Sequence, residues 1–289
     1  MSNIANRIES LVELADNARR GDLADLVTTE HPSVGLSDMT LAPATRARLE
    51  RVLHEQRRRA LLESRGFAPL HRLLLTGPAG TGKSMTASAL ANELSMPLAT
   101  IHLDTLTSKY AGEIPVKLRV IYDAMAHRRT VYLFDGLDAI EARQETWHDI
   151  GEARRILNMF LSFLEETRQE SLIITVAEHP TLLDDSLLSR FDAVIPYALP
   201  HPAQALDLLR RRLAVVNTSA VSWNAVGNHV TGLSQADLVR AAESAAKQAI
   251  LSDSDSVSTA DLITSLGELR KILHVMGFGR LPSRDWELG

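Results

Sequence analysis

Eight residues constrain this chain of 289 more than any others: Gly77-Pro78-Ala79-Gly80-Thr81-Gly82-Lys83-Ser84. They fit the pattern G-x-x-x-x-G-K-[ST], which has its meaning at the junction between a strand and a helix. Leu73-Leu74-Leu75 supply an apolar strand before the loop, and Ser84–Leu94 a helical stretch after it. The glycines let the backbone turn its N–H groups towards phosphate oxygens, and the following helix adds its positive end. In that setting Lys83 reaches the β- and γ-phosphates of a nucleotide, and Ser84 ligates Mg²⁺. Pro78, Ala79, Thr81 and Met85 complete the candidate nucleotide-contacting segment.

Downstream and upstream sequence supplies the frame that such a loop needs. From residue 72 onward, short apolar runs alternate with helical stretches: Leu73–Thr76, Leu98–Leu103, Val131–Asp135, Leu172–Ala177 and Ala193–Tyr197. This alternation predicts a parallel sheet covered by helices on both faces. Val131-Tyr132-Leu133-Phe134-Asp135 is an apolar strand ending in a carboxylate, the pattern of an acid that supports Mg²⁺ beside a phosphate loop. After Pro200 and Pro202 the strand-like runs stop, and residues 203–275 read as helical, with breaks at Gly232 and around Ser252–Ser258. At the other end Ile4, Ile8, Leu11, Ala15 and Ala18 recur at helical spacing, Gly21-Asp22 breaks the pattern, and His31–Gly35 reads as a linker. The expected organisation is a helical extension (1–33), a large α/β domain (34–200), a small helical domain (201–275) and an irregular tail (276–289).

Composition removes several classes of function. With 31 basic and 36 acidic residues the net charge is −5, which argues against a protein-wide nucleic-acid footprint, so no nucleic-acid partner is expected. The arginines of the helical stretch 42–63 (Arg46, Arg48, Arg51, Arg57, Arg58, Arg59) read as a solvated face or a subunit contact. There is no cysteine, so disulfides, thiolate metal sites and cysteine nucleophiles are excluded. No apolar run approaches the length that spans a bilayer, and Glu9 and Glu13 interrupt the start of the chain. A cytoplasmic protein without a membrane partner is the expectation. His127, His148, His179 and His201 lack metal-ligand spacing, and neither a G-x-S-x-G elbow nor an N-K-x-D guanine-reading segment occurs.

Taken in order, these motifs resemble those of the AAA+ ATPases, and specifically the AAA clade of protein remodellers, over about residues 34–275. GPAGTGKS is similar to the family's Walker A segment and FDGLDAI (134–140) to its Walker B segment. SKYAGE (108–113) resembles the first pore loop, TVAEHPTLLDDSLLSRFD (175–192) the sensor-1 strand and arginine-finger turn, and GLSQADL (232–238) the start of a lid-domain helix near the adenine. The resemblance implies a P-loop NTPase sheet of order 5-1-4-3-2 with helices on both faces, a small all-α lid, and ATP with Mg²⁺ as cofactors. It also implies a homo-oligomeric ring, a hexamer, that works on a protein substrate gripped by Tyr110 with Lys109 beside it. Arg190 would act on a neighbour's γ-phosphate, and the N-terminal helix is the candidate dock for a separate partner protein.

Two departures bear on catalysis. Where the family carries its Walker B glutamate this chain has Gly136, and where it carries the sensor-1 asparagine this chain has Glu178. One reading makes Glu178 the relocated group that polarises the attacking water, with Lys83 and Arg190 as the other catalytic residues. The rival reading is a non-hydrolysing, ATP-gated assembly protein. A DNA-acting loader is a further alternative, but the helical region Ala203–Leu273 shows no concentrated basic stripe.

Overall fold

Leu73, Leu74 and Leu75 are fully buried, as a strand must be when it runs through the middle of a sheet with helices on both faces. The structure is a computed structural model that describes residues 26–103, 105, 114–125, 129–138, 150–166, 170–178, 185–252, 254 and 256–275. The expected N-terminal helix, the pore-loop residues Lys109 and Tyr110, and the C-terminal tail lie outside the described residues. What is described falls into two units, one holding residues up to Gly77 with Lys83–Pro196, the other Pro78–Gly82 with the residues from Tyr197 onward.

The first unit is built on one sheet of six strands: β1 (Val27–Glu30), β2 (Arg72–Thr76), β3 (Leu98–His102), β4 (Val131–Asp135), β5 (Leu172–Ala177) and β6 (Ala193–Pro196). Their spatial order is β1-β3-β4-β5-β2-β6. Strands β2 to β6 are parallel neighbours and follow the order 5-1-4-3-2. β1 is an addition that apolar patterning does not announce. It pairs antiparallel with β3, Val27 opposite Ile101 and Glu30 opposite Leu98, and its last three residues are exposed. Such a polar segment is a strand because an edge is available to it, not because of its own composition.

The helices of this unit are α1 (Pro43–Arg57), α2 (Arg59–Glu63), α3 (Lys83–Glu93), α4 (Ile114–Met125), α5 (Ile150–Glu166) and α6 (Asp185–Leu188). Residues 42–63 are therefore two helices, not one continuous stretch, with Arg58 leaving helical geometry at φ −102° and ψ 19°. α4 and α5 contribute Leu118, Ile121, Ile156, Phe160 and Leu164 to the core that also holds Phe134 of β4. There Phe134 and Phe160 meet edge to face with centroids 5.0 Å apart, and Tyr122 stacks on Phe163 at the same separation.

One half-buried carboxylate ties the start of β2 to the turn before β6. Asp192 accepts the backbone N–H groups of His71 at 3.0 Å and Arg72 at 2.9 Å, and the Arg72 guanidinium at 2.8 Å. His71 Nδ1 stands 2.9 Å from the same carboxylate and 3.2 Å from the Pro69 carbonyl. Both neighbours are acceptors, so this nitrogen carries the proton. Burial alone would raise the Asp192 pKa, but the hydrogen bonds from His71 and Arg72 outweigh it and hold the carboxyl well below the usual carboxylate range.

The second unit packs four helices, α7 (Pro202–Arg212), α8 (Trp223–Gly227), α9 (Gln235–Leu251) and α10 (Thr259–Val275). Ala241, Ala242, Ala245 and Ala249 form the buried stripe of α9, small enough for neighbouring helices to approach closely. Ser234 caps α9: its hydroxyl donates to Asp237 at 2.6 Å and accepts the Asp237 N–H at 3.2 Å, while the Ser234 N–H donates back at 3.1 Å. Together they form a capping box that fixes where α9 begins.

The Asp192 clamp makes a prediction. A group with a depressed folded-state pKa stabilises fully above its unfolded pKa of about 4 and loses that contribution as pH falls towards the folded value. Asp192→Asn should lower stability at pH 7 by about 1–3 kcal/mol, the range for hydrogen bonds to a charged group. In urea denaturation the gap from wild type should narrow between pH 7 and pH ~3. An undiminished gap at the lower pH would show that the charge of Asp192 is not what the clamp uses.

Candidate active site

β2 ends at Thr76, and the chain then has to reverse its course within a few residues to enter α3. Positive φ angles at Gly77 (130°), Gly80 (73°) and Gly82 (93°) make that possible. The Gly77 N–H donates to the Ala177 carbonyl at 3.1 Å, so β5 anchors the start of the loop. Within the loop the Thr81 hydroxyl donates to the Pro78 carbonyl at 2.8 Å. Gly80 is also sterically required. A Cβ there would fall 2.5 Å from the Ser234 hydroxyl oxygen, and the Gly80 carbonyl accepts the Ala236 N–H at 3.0 Å, both within the second unit.

Lys83 is only 5% exposed, and its Nζ donates to the Gly77 carbonyl at 2.5 Å, closing the loop on itself. Burial pushes its pKa below the ordinary lysine value, while the negative charges of Glu178, Asp138 and Asp135 partly oppose that shift. Three carboxylates from the ends of β4 and β5 thus stand near one ammonium. Ser84, one residue on, donates its hydroxyl to Asp135 at 3.0 Å. Met85, also in the candidate segment, is 41% exposed.

Parallel pairing explains the convergence. β4 and β5 run side by side, Val131 opposite Leu172 through Phe134 opposite Thr175. Beyond the strands the Leu137 N–H still reaches the Val176 carbonyl at 3.3 Å. Gly136 turns the chain between them with φ at +83°. A residue with a Cβ is strained there, so the backbone at 136 has taken a conformation that disfavours a glutamate. Glu178 follows β5 directly, half-buried, and its N–H donates to Asp138 Oδ2 at 2.7 Å.

The structure therefore brings Lys83, Ser84, Asp135 and Glu178 together. Arg190 is engaged elsewhere: its guanidinium pairs with Glu165 of α5. Both side chains of that pair are partly exposed, at 40% and 46%, where an ion pair contributes about 0–1 kcal/mol. Asp138 is the residue that sequence reasoning missed. It stands in the quoted segment FDGLDAI, yet nothing local to the sequence marks it as a neighbour of Glu178.

These residues fit a magnesium nucleotide. A hydroxyl and a carboxylate 3.0 Å apart are the hard oxygen donors that Mg²⁺ prefers, and the glycine turn and lysine are the groups that cradle a triphosphate. No group of three or more acids and histidines placed to hold a metal by themselves occurs among the described residues, so Mg²⁺ here would depend on the Ser84 hydroxyl and the nucleotide as well, and none of the described helices is long and apolar enough to cross a membrane.

Comparison with known proteins agrees with the geometry. Residues 73–199 match the family model described as ATPase family associated with various cellular activities (AAA). The chain is 27% identical to an AAA family ATPase of Sinorhizobium fredii, y4kL, over 84% of this chain and 73% of that one. It is also 27% identical to the proteasome-activating nucleotidase of Pyrococcus horikoshii, over 92% of this chain and 70% of that one. The solved FIGL-1 AAA domain superposes with a TM-score of 0.67, covering 89% of this chain and 93% of that one at 21% identity, which shows a shared fold.

Lys83→Ala removes the only ammonium of the loop. ATP affinity measured by calorimetry should fall by about 100-fold or more, the loss of a charge-assisted contact with strongly anionic phosphates. An unchanged dissociation constant would mean that the loop is not where ATP binds.

Proposed function

Since the chain is an AAA+ ATPase of the protein-remodelling type, we propose that it couples ATP hydrolysis to remodelling or threading of a protein substrate, as a ring of like subunits. The observation that carries this reading is the meeting of Lys83, Asp135, Asp138 and Glu178 at the ends of β2, β4 and β5. Bound ATP would supply a γ-phosphoryl group for transfer to water. Gly77–Ser84 would hold the triphosphate, and Ser84 with Asp135 would hold Mg²⁺.

Hydrolysis also needs a carboxylate that accepts a proton from, or orients, the attacking water. Gly136 cannot do this, and Glu178 is the candidate. Neighbouring strands lie about 4.8 Å apart, so a glutamate following β5 can sweep much of the space open to one following β4. Its carboxylate lies close enough to the Lys83 ammonium for their charges to interact, so a water molecule beside a γ-phosphate held by Lys83 would come within its reach. The positive φ at Gly136 supports relocation further, because a rebuilt Gly136→Glu would start from a strained backbone.

In this reading Arg190 leaves its weak pairing with Glu165 and reaches a neighbour's γ-phosphate, where its charge stabilises the transition state. Tyr110, with Lys109, would grip the polypeptide as an aromatic tolerant of sequence, as the resemblance of SKYAGE (108–113) to a pore loop implies. The likeness to a nucleotidase that activates a proteasome supports service to a separate partner protein, and the N-terminal segment read as helical from the sequence is the proposed dock.

Two measurements test this. Glu178→Gln should lower phosphate release at least ~100-fold while ATP still binds, because a general base contributes about 10²–10⁴-fold. Turnover like that of wild type would remove Glu178 from the chemistry, and a wild type that binds ATP without releasing phosphate would favour an ATP-gated assembly protein. Arg190→Ala should keep nucleotide binding and lose most turnover, with ATP driving assembly in light scattering. A fully active monomer would overturn the ring.

A further inference from the structure

The carboxylate of Asp138 has a place in this site that no motif assigns to it. Its Oδ2 accepts the backbone N–H of Glu178 at 2.7 Å, a short bond to the residue immediately after β5. A charged acceptor makes such a bond about twice as strong as a neutral one. We propose that Asp138 is a positioning residue, holding the backbone of Glu178 so that the Glu178 side chain projects over the phosphate loop. The proposal rests on the reading of Glu178 as the water-polarising carboxylate.

Three features of the chain make the contact a built one. Leu137 continues the pairing of β4 with β5 past the last strand residue through its bond to Val176. The left-handed turn at Gly136, φ +83°, carries the chain over so that residue 138, not 136, stands across from Glu178. A side chain at 136 in ordinary geometry would continue the strand and forgo this arrangement. The same turn that removes a glutamate from position 136 therefore provides the clamp for one at 178. Finally, Ala177 is already tied through its carbonyl to Gly77, so the segment 177–178 is pinned at both ends, to the phosphate loop on one side and to Asp138 on the other.

Pinning of this kind matters in catalysis because a misplacement of about 1 Å can cost about 100-fold in rate. Asp138 would act chiefly on that geometry and makes no contact with the nucleotide itself. Its charge also helps to balance the buried Lys83 ammonium, alongside Glu178 and Asp135.

The experiment is steady-state phosphate release by the full chain, with Mg·ATP as substrate, in four variants: Asp138→Ala, Asp138→Asn, Glu178→Gln and Asp138→Ala/Glu178→Gln. Asp138→Ala should lower kcat about 10–100-fold with KM for ATP changed less than about three-fold. Asp138→Asn offers an amide oxygen to the same N–H and should recover most of that loss. In the double variant Asp138→Ala should add nothing to Glu178→Gln, since both act through one carboxylate. Equal losses in the Ala and Asn variants would make the charge itself the active element and overturn positioning. Multiplicative losses in the double variant would overturn action through Glu178 while leaving Glu178 in its role. If Glu178→Gln turns over like wild type, or wild type releases no phosphate, the reading beneath the proposal fails and the proposal with it. A backbone readout guards against a variant that merely folds poorly. The Glu178 amide resonance, in selectively ¹⁵N-glutamate-labelled protein, should shift upfield in Asp138→Ala and return towards wild type in Asp138→Asn, and an unmoved resonance would contradict the clamp.

Discussion

Burying an ammonium is unfavourable unless nearby groups replace the water it loses, and everything around the phosphate loop answers that demand on behalf of Lys83. The side chain is 5% exposed, bonded to the Gly77 carbonyl, and faced by the charges of Glu178, Asp138 and Asp135. This balance suits a residue waiting for a more highly charged partner. A bound triphosphate brings several negative charges to the same ammonium, and the lysine need only exchange a carbonyl for phosphate oxygens. In the proposed reading the carboxylates would then serve a metal ion and a water molecule.

The sheet delivers these groups to one place without any long side chain having to search for it. β2 ends in the loop, β4 ends in Asp135, and β5 runs between them into Glu178, all parallel and all ending on the same edge. Ligands in open parallel sheets gather beyond the carboxyl ends of the strands for this reason. The Asp192 clamp fixes the opposite end of β2, through His71 and Arg72, two residues after the arginine that is the candidate to act in trans. The start of the loop strand and the base of the Arg190 turn are thus one hydrogen-bonded unit.

The parts legible in the sequence are those whose chemistry is local. Glycines at 77, 80 and 82, Lys83 and Ser84 announce themselves by spacing, and Asp135 by closing an apolar strand. The five parallel strands could be read to within a residue because they form continuous apolar runs, and the central strands β2, β4 and β5 are buried along nearly their whole length. What escaped depends on residues far apart in the chain. β1 is polar and owes its existence to an edge of β3. Arg58 divides an arginine-rich stretch whose periodicity gives no sign of a break. Arg190 finds Glu165, Asp192 finds His71 and Arg72, and Asp138 finds the Glu178 amide, across separations of 25, 121 and 120, and 40 residues. Gly136 is the instructive case. As a letter it looks like a loss of function, whereas its positive φ marks a turn that only the folded backbone discloses.

The account's central claim is that this rearranged site still hydrolyses ATP, and that it does so in an assembly. Phosphate release by the wild-type chain, followed over a wide range of protein concentration with and without Mg²⁺, addresses both at once. The account predicts metal-dependent turnover whose rate per subunit rises with concentration and then levels off as assembly completes the site with a neighbour's arginine. Tight ATP binding with no phosphate release at any concentration would contradict it.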